Sequence, residues 1–187
     1  MTDRLPRGHR RIPTLLLAFA HAGLFAAQFG CSSGASASWS LVKKAIRLRN
    51  PSVAQLSTED LAAWLAKPDT TRPLLLDIRD PAEFEVSHLQ DARLAPDLNS
   101  ALAHLADAPP DTPIVAYCSV GYRSSDLAEQ LQKDGFTRVY NLEGSIFQWV
   151  NEGRPIYREG EVVDEVHPYG GLWKQLLKPK SKSKKKR

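Results

Sequence analysis

The chain has 187 residues, and its 42% hydrophobic content suits one globular core rather than wholesale disorder. The net charge of +4 is uneven. Residues 1–49 carry eight Lys/Arg against one acid, residues 174–187 carry eight Lys/Arg and no acid, and the residues between carry nine basic and 20 acidic side chains. This acidic middle excludes a nucleic-acid-binding domain, and two cysteines in unlike segments exclude a disulfide framework.

The N-terminal segment has the order of an export signal. Basic residues over 4–11 precede an apolar run over 12–29, and small residues follow. We therefore interpret residues 1–30 as a signal peptide or membrane anchor. This interpretation predicts a membrane-associated protein whose domain is exported to the periplasmic or extracytoplasmic face. A reversed anchor, which would leave the domain on the cytoplasmic face, stays open because basic residues flank the run on both sides.

Cys31 follows Gly30 and precedes small residues, an arrangement that resembles a bacterial lipoprotein cleavage site. A lipidated Cys31 is therefore one possibility. An uncleaved anchor and a signal cut within 35–38 are the alternatives.

Both ends of the chain carry segments suited to an anionic membrane surface. Residues 31–50 form a linker or basic juxtamembrane segment, in which apolar and basic residues alternate from Trp39 onward. We interpret residues 161–187 as a C-terminal extension that ends in a polybasic tail, which its dense like charge predicts to be disordered. The alternatives are a solvated linker helix and a solubilising tail, and no specific nucleic-acid partner is expected.

The remaining residues, 51–160, alternate helices with strands. Helices are predicted from the cap Ser57 to the stop at Pro68, and over 81–86, 100–106, 124–134 and 144–152. Apolar strands are predicted over 74–78, 114–117 and 136–140. This alternation predicts an α/β domain with a central parallel sheet and helices on both faces. Ligands bind at the carboxyl ends of such strands, which is where Cys118 falls.

Cys118 opens the short loop between a strand and a helix. Backbone amides of the loop and the following helix N-terminus favour a thiolate, the reactive form of cysteine. Gly121 permits backbone angles closed to other residues, and Arg123 supplies a fixed positive charge. The loop therefore suits a nucleophile that takes a sulfur atom from a donor and then passes it on. The alternative is a buried structural thiol.

Four stretches resemble the rhodanese family in order along the chain. They are Leu74-Leu75-Leu76-Asp77-Ile78-Arg79-Asp80, Glu83-Phe84 with Ser87-His88-Leu89, Cys118-Ser119-Val120-Gly121-Tyr122-Arg123-Ser124, and Tyr140 to Trp149 with Gly153-Arg154-Pro155-Ile156. The third is similar to the family's Cys-x-x-Gly-x-Arg-Ser active loop. The resemblance spans about 100 residues and implies a three-layer rhodanese-like fold.

The resemblance also implies roles for individual residues. Cys118 would be the persulfide carrier, and Arg123 would bind the donor. Asp77 would support the loop, and Arg79 would pair with Glu83. The backbone amides around the persulfide would come from Ser119, Val120, Gly121, Tyr122, Arg123 and Ser124.

The implied enzyme is a sulfurtransferase of the thiosulfate sulfurtransferase type. Its partners would be a small sulfur donor and a thiol or cyanide-like acceptor, and neither cofactor nor metal is expected. Arg123 is the only charged residue in the loop, so thiosulfate would be a poor substrate. Ser87, Gln90-Asp91 and Ser145 depart from the family pattern at supporting positions.

Three other functions are considered. A related phosphatase would need five residues between cysteine and arginine, whereas Cys118 and Arg123 have four between them. A non-catalytic binding module and a membrane-tethered sulfur relay remain open, because a fold does not fix a function.

Overall fold

The computed structural model describes residues 33–68 and 71–178. The predicted signal or anchor over 1–30, Cys31, and the polybasic residues 179–187 lie outside these ranges, so the expectations about them stay predictions. Within the described ranges, no helix combines the length and the apolar composition that crossing a bilayer requires.

A five-stranded parallel sheet forms the centre of the domain. Its strands are β1 (Ala54–Leu56), β2 (Leu74–Asp77), β3 (Arg93–Leu94), β4 (Ile114–Tyr117) and β5 (Val139–Leu142). They are arranged in the order β1-β5-β4-β2-β3, and every neighbouring pair is parallel. The central position of β4 puts Cys118, the next residue, at the carboxyl edge of the sheet. The predicted rhodanese-like α/β fold is confirmed.

In the part of the chain that the structure describes, six α-helices pack around the sheet. They are α1 (Ser33–Arg49), α2 (Thr58–Leu65), α3 (Pro81–Val86), α4 (Leu98–His104), α5 (Tyr122–Lys133) and α6 (Ser145–Asn151). An antiparallel hairpin follows, made of β6 (Ile156–Arg158) and β7 (Glu161–Val163), and then a 3₁₀ helix over Gly171–Leu176. Helix α2 begins as its sequence predicts, because Ser57 accepts a hydrogen bond from the amide of Asp60.

The pleat of the strands sends alternate side chains to opposite faces of the sheet. On β4, Ile114 packs with residues of α4 and α5, whereas Val115 and Tyr117 pack with residues of α2 and α6. Cys118 continues the alternation and lies on the α4–α5 face. Two cores therefore hold the central strand, and they fix where the loop after it begins.

The strand prediction differs from the structure in two respects. The edge strands β1 and β3 were not predicted, because they have three and two residues and carry no apolar run. The third predicted strand, over 136–140, lies instead at Val139–Leu142. Phe136 and Thr137 are held outside the sheet, because their amides donate to the carbonyl oxygens of Leu131 and Pro110.

Helix α1 packs against the domain through one face. Ile46 is fully buried, and Trp39 and Val42 pack beside the α2–α6 core. Two arginines on the helix form ion pairs with the domain, Arg47 with Glu143 at 2.7 Å and Arg49 with Asp126 at 2.7 Å. Leu41 and Leu48 remain exposed on the same helix.

Candidate active site

Cys118 is a free thiol at the end of β4 with only 1% of its surface exposed. Its Sγ accepts a hydrogen bond from the backbone amide of Gly121 at 3.1 Å. Gly121 adopts φ of +106°, which is unfavourable for residues with a side chain, and it caps the N-terminus of α5. The turn that the sequence predicts from Gly121 therefore aims an amide at the sulfur.

Helix α6 holds the other side of the loop. The amides of Ile146 and Phe147, in its first turn, donate to the carbonyl oxygens of Cys118 and Ser119 at 3.2 and 3.1 Å. Ser145 completes the attachment, since its Oγ accepts from the amide of Cys118 at 3.1 Å and donates to the carbonyl of Leu142 at 3.0 Å. The hydrogen-bonding groups of the loop backbone thus find their partners in a helix that begins 27 residues after Cys118.

Ser145 is one of the positions that departs from the family pattern, where a second glycine is usual. Its φ of +50° is left-handed, a conformation that costs a serine energy and a glycine little. The hydroxyl in turn supplies a bridge between the Cys118 amide and β5 that glycine cannot make. This role of Ser145 could not be predicted, because no local sequence pattern links residues 118 and 145.

Arg123 is tied to the loop through a carboxylate on α3. Its Nη2 donates to Glu83 Oε2 at 2.9 Å, and Ser119 Oγ donates to Glu83 Oε1 at 2.9 Å. Asp80 lies near the same guanidinium, with its Oδ2 3.6 Å from Nη1. Glu83 therefore joins both ends of the Cys118–Arg123 loop.

The pairing of Glu83 with Arg123 shifts the pKa values of both groups. Burial alone would raise the pKa of Glu83, but the hydrogen bond and charge of Arg123, with the Asp80 amide and the Ser119 hydroxyl, outweigh it and lower that pKa. Burial likewise opposes the charge of Arg123, whereas attraction to Cys118 and Glu83 raises its pKa. Arg123 is therefore a permanent positive charge within electrostatic reach of the sulfur.

The predicted pairing of Arg79 with Glu83 is wrong. Arg79 donates through Nε and Nη2 to the carboxylate of Asp77, at 2.6 to 3.2 Å, and also through Nη2 to the carbonyl of Ser87 at 2.6 Å. Both charged side chains are completely buried. Arg79 lies two residues after Asp77 and bonds to its carboxylate through both backbone and side chain, while Glu83 pairs with Arg123.

The predicted supporting role of Asp77 stays a prediction. Its contacts are with Arg79 and with Tyr117, the residue before Cys118. Burial raises the pKa of Tyr117 well above its usual value, the charge of Asp77 adds to that effect, and the phenol accepts from the amide of Leu89 at 3.0 Å. The buried contact between Asp77 and Tyr117 thus helps to stabilise the end of β4, just before Cys118.

The remaining loop residues point their side chains away from one another. Val120 is buried in the α2–α6 core, and Ser124 donates to Asn141 Oδ1 at 2.6 Å. Tyr122 is 38% exposed and lies under the guanidinium of Arg49, whose Cζ is 4.8 Å from the ring centroid. Any contact of Val120 and Ser124 with a substrate would therefore come from their backbone.

A cleft of about 400 Å³ opens beside Arg123. Asp80, Asp97 and Asp126 line it together with Arg123 and apolar residues of α4 and α5. Its rim is therefore acidic apart from the one guanidinium. In the described ranges, no group of three His, Cys, Asp or Glu side chains is placed to hold a metal ion.

Comparison with known proteins gives a consistent family. Residues 57–152 match the model of the rhodanese-like domain. A sulfurtransferase from Allochromatium vinosum is 36% identical over 104 residues, which cover 56% of this chain and 94% of that relative. The thiosulfate sulfurtransferase GlpE of Vibrio cholerae is 30% identical over 97 residues, which cover 52% of this chain and 91% of GlpE.

Other relatives are longer. A probable adenylyltransferase/sulfurtransferase MoeZ from Mycobacterium tuberculosis is 34% identical over 102 residues, or 54% of this chain, but the match spans only 25% of its length. Its whole activity is therefore no guide to this chain.

Solved structures show the same fold. A thiosulfate sulfurtransferase from Pseudomonas aeruginosa superposes with a TM-score of 0.55 at 19% identity, covering 66% of this chain and 23% of that one. A Rhodopseudomonas palustris protein of unknown function, described as a possible tyrosine phosphatase, gives 0.51 at 27% identity, covering 62% and 93%. The family model accounts for just over half of the residues. The chain therefore belongs to the family of rhodanese-like domains, as its four motifs predict.

Proposed function

We propose that the protein is a sulfurtransferase in which Cys118 carries sulfane sulfur as a persulfide. The observation that carries the proposal is the hydrogen bond from the Gly121 amide to Sγ, beside the permanent charge of Arg123. The similarity to two sulfurtransferases supports it, because the matched regions cover nearly the whole length of each relative. The donor is thiosulfate or another carrier of sulfane sulfur such as a persulfide, and the acceptor is a thiol or a cyanide-like nucleophile.

The reaction has two displacement steps. With thiosulfate as donor, the Cys118 thiolate attacks the outer sulfur, an S–S bond forms to Sγ, and the S–S bond of thiosulfate breaks to release sulfite. A nucleophile then attacks the outer sulfur of the persulfide. It leaves with that sulfur, and the electron pair of the broken S–S bond returns to Sγ as a thiolate. No external oxidant or reductant is consumed.

The loop can serve both states of the cysteine. In the thiolate, negative charge resides on Sγ, where the Gly121 amide donates. In the persulfide, the charge moves to the outer sulfur, about 2 Å beyond Sγ. That atom would lie toward the amides of the loop and the N-terminal end of α5, where positive potential is greatest. The burial of Cys118 would limit loss of the persulfide to solvent.

The spacing of the loop favours sulfur over phosphate. Four residues separate Cys118 and Arg123, and the guanidinium of Arg123 is already hydrogen-bonded to Glu83. A phosphate would need the guanidinium to be available for its oxygens. The similarity to a possible tyrosine phosphatase therefore does not alter the proposal.

The test is mass analysis of Cys118 together with a sulfur-transfer assay. Wild-type protein incubated with thiosulfate or polysulfide should gain one sulfur atom on Cys118 and pass it to cyanide or a thiol. Cys118→Ser should do neither. Cys31→Ser removes the chain's other cysteine, to which the proposal gives no role, and should behave as wild type. Sulfur transfer that survives in Cys118→Ser would contradict the proposal.

A further inference from the structure

The C-terminal extension brings an aromatic ring to the active-site arginine. The ring centroid of Tyr169 lies 4.5 Å from the Cζ atom of Arg123, so the ring covers one face of the guanidinium. Tyr169 lies between β7 and the 3₁₀ helix, beyond the 57–152 region that matches the family model. None of the sequence motifs includes it.

The segment around Tyr169 is attached on both sides. Before it, the β6–β7 hairpin is joined to the domain by reciprocal hydrogen bonds between the backbones of His88 and Tyr157. After it, Leu176 is buried in the α2–α6 core. The side-chain amide of Asn151 donates to the carbonyl oxygen of Leu176 and accepts from the backbone amide of Lys178, both at 2.7 Å. The ring is thus presented by a chain segment with fixed ends.

The other sides of the guanidinium are also engaged. Glu83 accepts from Nη2 at 2.9 Å, and Asp80 lies 3.6 Å from Nη1. A small dianion such as thiosulfate binds arginine through its N–H groups and its positive charge. Two carboxylates and an aromatic face leave little of either for an incoming donor.

We propose that Tyr169 is a positioning residue that sets donor specificity, disfavouring small dianionic donors by covering Arg123. This inference rests on the proposed sulfur transfer at Cys118. It identifies a donor class: sulfur carriers that do not depend on Arg123 to neutralise two negative charges. Tyr169 is 40% exposed, so its removal should uncover the guanidinium without breaking a core.

The first experiment compares steady-state kinetics with thiosulfate. In Tyr169→Ala, KM for thiosulfate should fall about two- to fivefold, the range expected for loss of an exposed cation–π contact, while kcat stays unchanged. Tyr169→Phe keeps the ring and should retain the wild-type KM. Val162→Ala, an exposed position in the same extension, should also leave both constants unchanged. Thermal melts of the variants would confirm that each is folded.

The second experiment does not depend on sulfur transfer. Alkylation rates of Cys118 are measured with iodoacetate, which is anionic, and iodoacetamide, which is neutral and similar in size. The rate with iodoacetate divided by the rate with iodoacetamide should rise about two- to fivefold in Tyr169→Ala and stay at the wild-type value in Tyr169→Phe. If the protein lacked transferase activity, this ratio would still report whether the ring shields the charge.

The outcomes separate cleanly. An unchanged or raised KM in Tyr169→Ala would overturn the proposal, and so would a Phe variant that behaves as the Ala variant. Equal acceleration of both alkylating reagents would also overturn it, because the ring would then act only as a steric barrier.

Discussion

Glu83 organises the Cys118–Arg123 loop from outside it. Its two carboxylate oxygens accept from Arg123 and from Ser119, which lie on either side of the turn at Gly121. Because Glu83 is buried, its charge depends on these donors for compensation. The lowered pKa of Glu83 shows that the folded protein favours the ionised form.

This arrangement predicts a pH-dependent stability difference for Glu83→Gln. A carboxyl whose pKa is lowered by folding stabilises the protein fully above its ordinary pKa of 4.5, and that contribution disappears as pH falls through the lower folded value. At neutral pH the substitution should cost about 1.5–3 kcal/mol, the range for hydrogen bonds to charged groups. Urea unfolding across a pH series measures the difference.

The matched control is Glu85→Gln on the same helix, α3. Glu85 is exposed, so its substitution should change stability little at any pH. A wild-type advantage over Glu83→Gln that stayed constant well below pH 4.5, or grew there, would contradict the prediction.

At the level of single residues, the sequence pointed to the Cys118–Arg123 loop but not to the residues that hold it in place. Cys118, Gly121 and Arg123 are close in sequence, so their spacing carries information. Glu83 and Ser145 reach the loop from 36 and 27 residues away. The pairing of such distant residues is set by the packing of α3 and α6, which no local pattern reports.

At the level of elements, the buried strands and most helices could be predicted because their apolar periodicity is strong. Strands β1 and β3 could not, because short edge strands gain their identity from the neighbour they pair with. The contacts of α1 also depend on distant residues that its own sequence does not reveal. Its basic and apolar residues suggest a membrane-surface helix, but Arg47 and Arg49 form ion pairs with the domain.

Helix α1 should therefore contribute to stability through one residue in particular. Ile46 is 1% exposed, and its Cδ1 lies 3.4 Å from where a Cβ on Gly121 would be. We expect Ile46→Ala to lower the free energy of unfolding by about 2–5 kcal/mol, because it leaves a cavity beside the loop. Urea denaturation of the full chain measures the change.

Leu48 provides the comparison on the same helix. It is 71% exposed, so Leu48→Ala should change stability by no more than about 0.5 kcal/mol. If the two variants were equally stable, the packing of α1 on the domain would not hold in solution.

At the scale of the whole molecule, charge is segregated between an acidic middle and basic ends. An acidic domain is repelled by anionic lipid, so any attraction must come from the ends. The membrane association expected from the N-terminal segment stays a prediction, and the polybasic C-terminal residues offer a separate test of surface binding.

We expect the full chain to co-sediment with vesicles containing anionic lipid, and to do so less as salt is raised. Deleting residues 179–187 removes six of the chain's 25 Lys/Arg and should weaken the binding. Vesicles of neutral lipid are the control for binding through the apolar segment. Binding insensitive to both the deletion and salt would assign the attachment to that segment alone.

The position of Ile46 and Tyr169 has a practical consequence for anyone expressing this protein. Both residues adjoin the Cys118–Arg123 loop, yet both fall outside the 57–152 region by which the family is recognised. A fragment trimmed to the family borders would keep Cys118 but lose two of the residues that adjoin its loop. We expect such a fragment to expose the guanidinium of Arg123 and to leave a gap where Ile46 packs, so its kinetic constants should differ from those of the 187-residue chain.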